Sequence, residues 1–494
     1  MINLLAFDYG ASSGRAIVGK YDSKRITLEE VHRFSNDPVQ MGGSFYWDFL
    51  RLYFEMLKGL KKASSRSKLT SMGIDTWGVD FGLLDANGNL IGNPLHYRDS
   101  GTAGIMDEVL RIIPKEEIYK KTGIQFLHFN TLYQLYAIKI KNASFLDRAS
   151  TLLFIPDLLR YFLTGERNSE FTVASTSQIL NVNSSKWDNQ LLDTLGIPVH
   201  FLTDIIASGT IGGNILPDVC SHYCIDSVPV VTVAEHDTAS AVMAIPAKKN
   251  RFAYLSCGTW SLLGIESSEP IINADTYSLN FTNEGGFDNT VRVLKNIMGL
   301  WIYQECRREW LRAGENVSFD ELEYAALKCT PFLSLIDPDD IAFYNPGNMP
   351  EKIKLYLKKT DQPALDKNSQ IVRCIMESLA LKYRMVLEEL EQITGYQLPV
   401  LHVVGGGCKN RVLMQFTADS IGKPVVAGPT EATATGNIIA QLIASGEIKN
   451  LLEGRDVIRE SFPETVFEPK NKNPWDMAYE KFLKLIERNK EVSI

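Results

Sequence analysis

Two apolar rhythms run along the chain. Short apolar runs stop abruptly at Gly, Ser, Thr or Asp, and longer stretches carry apolar residues at helical spacing. The first run, Leu4-Leu5-Ala6-Phe7-Asp8-Tyr9-Gly10-Ala11-Ser12-Ser13-Gly14-Arg15, predicts a buried strand, a tight turn and a second strand starting near Ala16. Polar Lys20 to Arg25 separates this pair from a third strand, Ile26 to Phe34. Phe49, Leu50, Tyr53, Phe54, Leu57 and Leu60 recur at the helical period, predicting a helix from Asp48 to Lys62. Ser71 to Phe81 reads as another strand and a sharp turn, and Asp85-Ala86-Asn87-Gly88 as a hairpin turn. Strand, helix and strand in this order predict an α/β domain.

From His96 to Leu135 the pattern turns polar and aromatic without a clear period, which suits either loops lining a cleft or a surface excursion. Pro156 to Gly165 predicts a short helix with Pro at its start and Gly at its end. Thr172 to Gln178 is a Ser/Thr-rich turn region. Pro229 to Ala234 is a β-branched strand whose Pro occupies the first position, and it runs directly into Glu235-His236-Asp237-Thr238. The stretch from Phe252 to Gly264 repeats the opening plan of strand, Gly/Thr turn and strand, and predicts a degenerate internal duplication. A long helix over 373–395 follows, closed by Gly395 and Pro399. Then come a strand at Val400–Val404, the turn Gly405-Gly406-Gly407, a strand at Pro424–Ala427, and a helix entered through Glu431 to Gly436. The tail beyond Arg455 is charged and interrupted by Pro.

At 494 residues the chain exceeds what one core supports, and the polar run Lys248-Lys249-Asn250 marks the expected boundary between two domains, 1–246 and 247–494. A net charge of −8 argues against a broad nucleic-acid surface, so an anionic substrate would be held by local N–H groups, a metal and a few cations. No run of about 18 apolar residues occurs, so no membrane span is expected. The N-terminus has no basic region of the kind that opens a signal peptide. The 7 scattered cysteines suit a reducing cytoplasm. Cys220-x-x-x-Cys224 has no second ligand pair after it, which weighs against zinc.

An Asp at a strand tip followed by a Gly/Ser turn offers N–H groups and hydroxyls to an anion and a carboxylate to a hydrated cation; an ordinary hairpin with a satisfied Asp fits equally well. Three such turns recur at strand ends, at Asp8–Arg15, Ser256–Trp260 and Gly405–Gly407. The first is followed by a strand rather than a helix, which excludes a dinucleotide fingerprint, and no Walker A motif is present. Paired hairpins in two halves point instead to a cleft ATPase of the actin and sugar-kinase type. Asp237, at a strand–helix junction, suits either a general base or a helix N-cap. His236 suits either a sugar hydroxyl or core packing, and Trp77 and Trp260 fit the core best.

Taken in order, these stretches resemble the FGGY carbohydrate kinase family. The likeness is carried by Asp8–Arg15, Gly73-Ile74-Asp75-Thr76-Trp77-Gly78-Val79-Asp80-Phe81, Tyr97-Arg98-Asp99, Gly123–Phe126, Phe129–Leu135 and His236–Val242. In the second half it is carried by Gly258–Ser261, Asn280–Gly286, Leu294–Trp301, Asn345–Pro350, Gly405–Cys408 and Ala427–Ala434. The resemblance implies an α/β fold of two actin-like (ribonuclease H-like) ATPase domains with an interdomain cleft. It also implies transfer of the ATP γ-phosphoryl group to the 1-hydroxyl of L-rhamnulose, with L-fuculose, another ketose or a polyol as alternative acceptors. A switch ATPase of the actin or chaperone kind is the competing class. By the family pattern Asp237 would be the catalytic base, and Gly78, His236, Asp237 and Thr238 would meet the sugar. Ala11, Ser12, Ser13, Gly14, Arg15, Thr259, Asn296, Gln304 and Gly406 would meet ATP, and Asp8 would hold Mg²⁺ through water. The 1–246 domain would bind sugar, phosphate and metal, and 247–494 would bind ATP. A cytoplasmic monomer or small homo-oligomer, with no nucleic-acid or membrane partner, is implied. Glu235 and Gly101 depart from the pattern beside the sugar segments.

Overall fold

The opening hairpin forms as the apolar pattern predicts. In the computed structural model, which describes residues 1–248, 251–316 and 318–492, strands Ile2–Tyr9 and Ser13–Tyr21 pair antiparallel with Asp8 opposite Arg15. Ser13–Tyr21 pairs in turn with Ile26–Ser35. On its other edge Ile2–Tyr9 runs parallel to Ser71–Thr76, which sets Asp8 beside Asp75. Pro229–Thr232 adds a further parallel strand, and Thr210–Asn214 closes the sheet antiparallel to it. Leu4, Leu5, Ala6, Met72, Ile74 and Val230 are all fully enclosed or nearly so, because a parallel strand flanked by helices is apolar on both faces.

Two compact units make up the chain. Unit 1 comprises Met1–Lys248, Glu266–Leu294 and Ala432–Phe462; unit 2 comprises Lys249–Ile265, Lys295–Glu431 and Pro463–Ile494. Two residues of the polar boundary run, Lys249 and Asn250, lie outside the described residues. The second sheet places Val291–Met298, Trp260–Ser267, Ala253–Cys257, Leu401–Val404, Val425–Ala427 and Thr465–Phe467 side by side in that order. Third strand, second, first, two parallel strands and an antiparallel edge is the order of the first sheet as well, so the duplication seen faintly in the residues is clear in the topology. Val291–Met298 has one addition: its first residues pair antiparallel with Thr282–Gly285.

Local signals fix the helices closely. Phe49–Ser64 is capped by the Asp48 carboxylate accepting from Arg51 N. Ile155–Thr164 starts on Pro156 and ends at Gly165 in the left-handed region. The long helix is Asn368–Thr394, five residues longer at its start than expected, and ends at left-handed Gly395. The segment His96–Leu135 departs from expectation. Half of it is helical, as Ile105–Ile112, Lys115–Thr122 and the start of Thr131–Asp147. These helices bury Ile105, Val109, Ile118, Tyr119, Leu132 and Tyr133 in one core with Phe81, Leu152 and Phe201. Helices of 8 residues show too few repeats for the period to stand out, and the packing of their aromatics supplies what the pattern lacks. Beyond Arg455 the charged tail is likewise ordered, as the end of Leu451–Ser461, the strand Thr465–Phe467 and the helix Asn473–Val492. No described helix is long and apolar enough to cross a membrane.

Helix Ala432–Ala444 belongs to unit 1 and packs on Asp237–Met243 and on strands Ile2–Tyr9 and Ser71–Thr76. The contact depends on Gly436, where a Cβ would lie 1.8 Å from the Ser240 carbonyl oxygen. Gly436→Val is expected to force the helix pair apart, costing about 1–3 kcal/mol or more by analogy with core overpacking. Urea unfolding curves check this, and an unchanged midpoint would show that the pair separates without cost.

Candidate functional site

The strand end that delivers His236 and Asp237 is held by a buried charge cluster. Arg160, fully enclosed in helix Ile155–Thr164, donates through Nε to Glu235 Oε1 at 2.9 Å and through Nη2 to Asp157 Oδ1 at 2.6 Å. Glu170 accepts from Thr172 N and Oγ1 and from Glu235 N. Two carboxylates thus share one guanidinium, and Glu170 joins them through the backbone N–H of Glu235. Burial pushes Asp157 up to about 6 and Glu170 up to about 7, and drives Glu235 upward too, against the pull of Arg160. Glu235, expected to be a smaller residue, is buried here as an anchor for Arg160. Backbone bonds complete the hold: Thr76 N donates to Glu235 O at 2.9 Å, and His236 N donates to Thr172 Oγ1 at 3.1 Å.

Asp237 is the first residue of helix Asp237–Met243, and His236 takes the N-cap position. The Asp237 carboxylate is therefore not spent as the cap. It accepts from Thr238 Oγ1 at 3.1 Å, lies 3.5 Å from His236 Nε2, and keeps about a quarter of its side chain exposed (27%). Burial raises its pKa, and the Asp8 charge raises it further against the lowering by His236 and Thr238. Asp75 is completely buried; burial first, then Asp8 and Asp237, hold its pKa well above the ordinary range, and Asn437 Nδ2 donates to Oδ2 at 2.6 Å. Its Oδ1 is enclosed without a hydrogen-bond partner among the described residues. Asp8, Asp75 and Asp237, from three neighbouring chain segments, therefore feel one another's charge. Such a cluster attracts a cation, although no three side chains among the described residues are placed to ligate one directly. Asp8 is ion-paired to Arg15.

The turn from Tyr9 to Ser13 is closed by Gly10 N donating to Ser13 O at 3.0 Å, and Asn36 braces it through Ser12 O and Gly10 O. Ser12 is exposed, and Ala11 and Ser13 are half-buried. Gly14 is enclosed, since a Cβ there would sit 2.2 Å from the Phe34 ring. The loop after Ser71–Thr76 is under tension. Val79, a β-branched residue, has φ +65°. Its N–H donates to Thr176 Oγ1 and its carbonyl accepts from Thr131 Oγ1. A Cβ at Gly78 would fall 2.8 Å from Thr176 Oγ1, so only glycine fits there. Beneath the loop Asp80 accepts four N–H donors, from Trp47 Nε1, Trp77 Nε1, Tyr97 N and Gln134 Nε2. Trp77 is thus a core residue stacked near Trp47, with ring centroids 4.0 Å apart. Gly101, the other departure, sits in a short turn where Asp99 accepts its N–H and its carbonyl accepts from Lys141 Nζ.

Unit 2 builds its own cluster on the second hairpin. Leu300 N and Trp301 N donate to the carbonyls of Gly258 and Thr259, and Thr259 Oγ1 lies 3.4 Å from Gln304 Oε1. Gly405, at φ +89°, and Gly407 pack directly on Cys257; a Cβ on Gly407 would lie 2.2 Å from its sulfur. Gly406 between them is exposed, with open space where a side chain would be. Thr259, Gln304 and Gly406 are thereby gathered around one strand end, and Asn296 lies on the strand Val291–Met298.

With this geometry in hand, comparison with known proteins is direct. Family models for the N-terminal and C-terminal domains of the FGGY family of carbohydrate kinases match residues 3–244 and 253–445. The chain belongs to the FGGY family of carbohydrate kinases. Among its relatives, a rhamnulokinase of Bacteroides thetaiotaomicron is 44% identical over 97% of this chain and 98% of its own length. A rhamnulokinase of Oceanobacillus iheyensis is 43% identical over 93% and 96%. The fold matches a ligand-bound xylulose kinase from Lactobacillus acidophilus with a TM-score of 0.82 at 16% identity, covering 99% of this chain and 98% of that one. It also matches Plasmodium falciparum glycerol kinase with ADP, with a TM-score of 0.76 at 19% identity, over 100% and 98%. The two-domain, actin-like ATPase fold expected from the resemblance is the fold observed.

Asp75, Asp80 and Arg160 carry no role in the sequence reading. Asp75 and Asp80 sit within the Gly73–Phe81 motif, but nothing along the chain shows that one meets Asp8 and the other binds four donors. Asp80→Asn turns an amide donor toward N–H groups, and is expected to cost about 1–3 kcal/mol for buried groups left unpaired. Burial lifts the Asp80 carboxyl from 3.8 to about 7. A raised carboxyl stabilises the fold fully below its unfolded value, and that contribution is lost as pH rises through about 7. The wild type should therefore lose more stability than the variant between pH 5 and pH 8, as read by urea midpoints; parallel curves would refute the assignment.

Proposed function

We propose that this carbohydrate kinase transfers the γ-phosphoryl group of ATP to the 1-hydroxyl of L-rhamnulose, giving L-rhamnulose 1-phosphate and ADP. The observation that carries this reading is likeness over nearly the whole chain, at 40–44% identity, to proteins named rhamnulokinase. The chemistry at the end of the 229–232 strand supports it. The hydroxyl oxygen attacks the γ-phosphorus while its proton passes to the Asp237 carboxylate; the bond from phosphorus to the bridging oxygen breaks and ADP leaves. Burial, by raising the basicity of Asp237, makes it a better proton acceptor than an ordinary carboxylate. Thr238 and His236 orient that carboxylate, and Gly78, His236 and Thr238 line the sugar.

The hairpin residues Ala11 to Arg15 would meet the phosphates, with Thr259, Asn296, Gln304 and Gly406 meeting the rest of ATP. The 1–246 region would bind sugar, phosphate and metal, and 247–494 would bind the nucleotide. Mg²⁺ would be held by Asp8 through water, where the charge of Asp75 and Asp237 also favours a cation. When bound it would neutralise phosphate charge. A cytoplasmic enzyme, working as a monomer or small homo-oligomer, belongs to the same proposal.

Asp237→Asn is expected to bind sugar but lose about 10²–10⁴-fold in kcat, the ordinary contribution of a positioned base. Since the ionised form is the base, kcat/KM should fall on the acid side with a midpoint above the usual range for Asp, about 3.9. Thr238→Val removes a hydrogen bond that lowers this pKa and should move the limb further up. ADP release with MgATP over a panel of L-rhamnulose, L-fuculose, other ketoses and polyols tests the acceptor. Preference for L-fuculose would overturn the substrate assignment, and full turnover without sugar would indicate a switch ATPase.

A further inference from the structure

His236 faces a second buried ion pair that the roles above leave unused. Strands Thr282–Gly285 and Val291–Met298 pair in a register that sets Glu284 opposite Arg292. Arg292 is completely buried, a rare state for a guanidinium unless it is paired. Its Nε donates to Gly285 O at 2.8 Å, and its Nη2 lies 3.1 Å from Glu284 Oε2 and 3.0 Å from His236 Nδ1. Nη1 is enclosed with no acceptor among the described residues.

An Arg guanidinium carries only donors and stays protonated. The short contact with Nδ1 therefore requires a lone pair on that nitrogen. A neutral imidazole with a lone pair on Nδ1 carries its hydrogen on Nε2. Nε2 is the atom that faces Asp237 Oδ1, at 3.5 Å. The charged groups around the ring are Arg292 and Glu284 on the two strands and Asp237 on the adjoining helix. Glu284 Oε2 lies farther from Nδ1, at 3.4 Å, than Arg292 Nη2 does, and pairs with Arg292 at 3.1 Å.

We propose that Arg292 is a positioning residue that locks His236 in the neutral Nε2–H tautomer, so that the imidazole presents a donor to Asp237 and to the sugar hydroxyl beside it. In this arrangement the ring cannot compete with Asp237 for the hydroxyl proton, and Asp237 alone remains the acceptor. Glu284 holds Arg292 in register for this task. The proposal rests on the assignment of His236 and Asp237 to the acceptor sugar.

Histidine-selective ¹⁵N NMR of the wild-type protein tests the tautomer without sugar or turnover. His236, assigned by comparison with His236→Gln, should show a pyridine-type Nδ1 and a protonated Nε2 at pH 7.5. A protonated Nδ1 there, as the other tautomer or as imidazolium, would overturn the proposal whatever the substrate proves to be. Arg292→Met should free the ring to exchange tautomers, raise KM for the ketose about 10-fold, the usual scale of one lost positioned hydrogen bond, and leave KM for ATP unchanged. Arg292→Lys, which restores a single cationic donor, should recover part of that loss. If Arg292→Met does not fold, the wild-type spectrum and Arg292→Lys still decide. A wild-type KM for the ketose in a folded Arg292→Met would also refute it.

Discussion

The buried guanidinium of Arg160 is the contact on which the acceptor side of this kinase depends. It lies under the end of the Pro229–Thr232 strand and ties Glu235 to Asp157. The two residues after Glu235 are the ones proposed to face substrate. With three carboxylates and one guanidinium, the cluster is short of positive charge, and burial answers by raising the carboxyl pKa values. Removing the cation would leave acids buried without compensation, a loss far greater than any surface pair incurs. The strand end is thus held where the proposed base sits, by a helix about 75 residues earlier in the chain.

The same device recurs around the site with different chemistry. Asp80 gathers four donors under the Trp77–Val79 loop, which lets a β-branched residue stay at positive φ and keeps Gly78 against Thr176. Asn437, on a helix contributed by the far end of the chain, donates to Asp75. Arg292 and Glu284 meet His236 from a strand pair after the domain boundary expected from the sequence. In each case a surface group that would touch substrate is backed by a buried polar group whose hydrogen bonds fix its direction. Buried hydrogen bonds of this sort favour one arrangement, because breaking one leaves a further donor or acceptor unpaired away from water.

Much of this was legible along the chain, and the failures are instructive. The Asp8–Arg15 hairpin, the capped helices at Asp48 and Pro156 and the Gly395 stop were all written in local signals. The helices between Ile105 and Thr122 were not, because each spans only about two turns and is held by packing. Glu235 was visible as a departure from the family pattern but not as an anchor, since its partner Arg160 is remote in sequence. Asp237 was open between cap and base; the backbone gives the cap position to His236 and leaves the Asp237 carboxylate free of that task.

By itself, then, the sequence determined the longer and well-capped elements, the two-fold repeat of the turn plan and the family, because those depend on period, turn chemistry and the order of motifs. Only the tertiary structure decided that Asp8 and Asp75 lie side by side, that Ala432–Ala444 joins the first unit, and that Arg160, Asp80 and Arg292 stand behind the site. Those facts concern charges brought together from distant parts of the chain, and their energies depend on burial and distance, which no local pattern encodes.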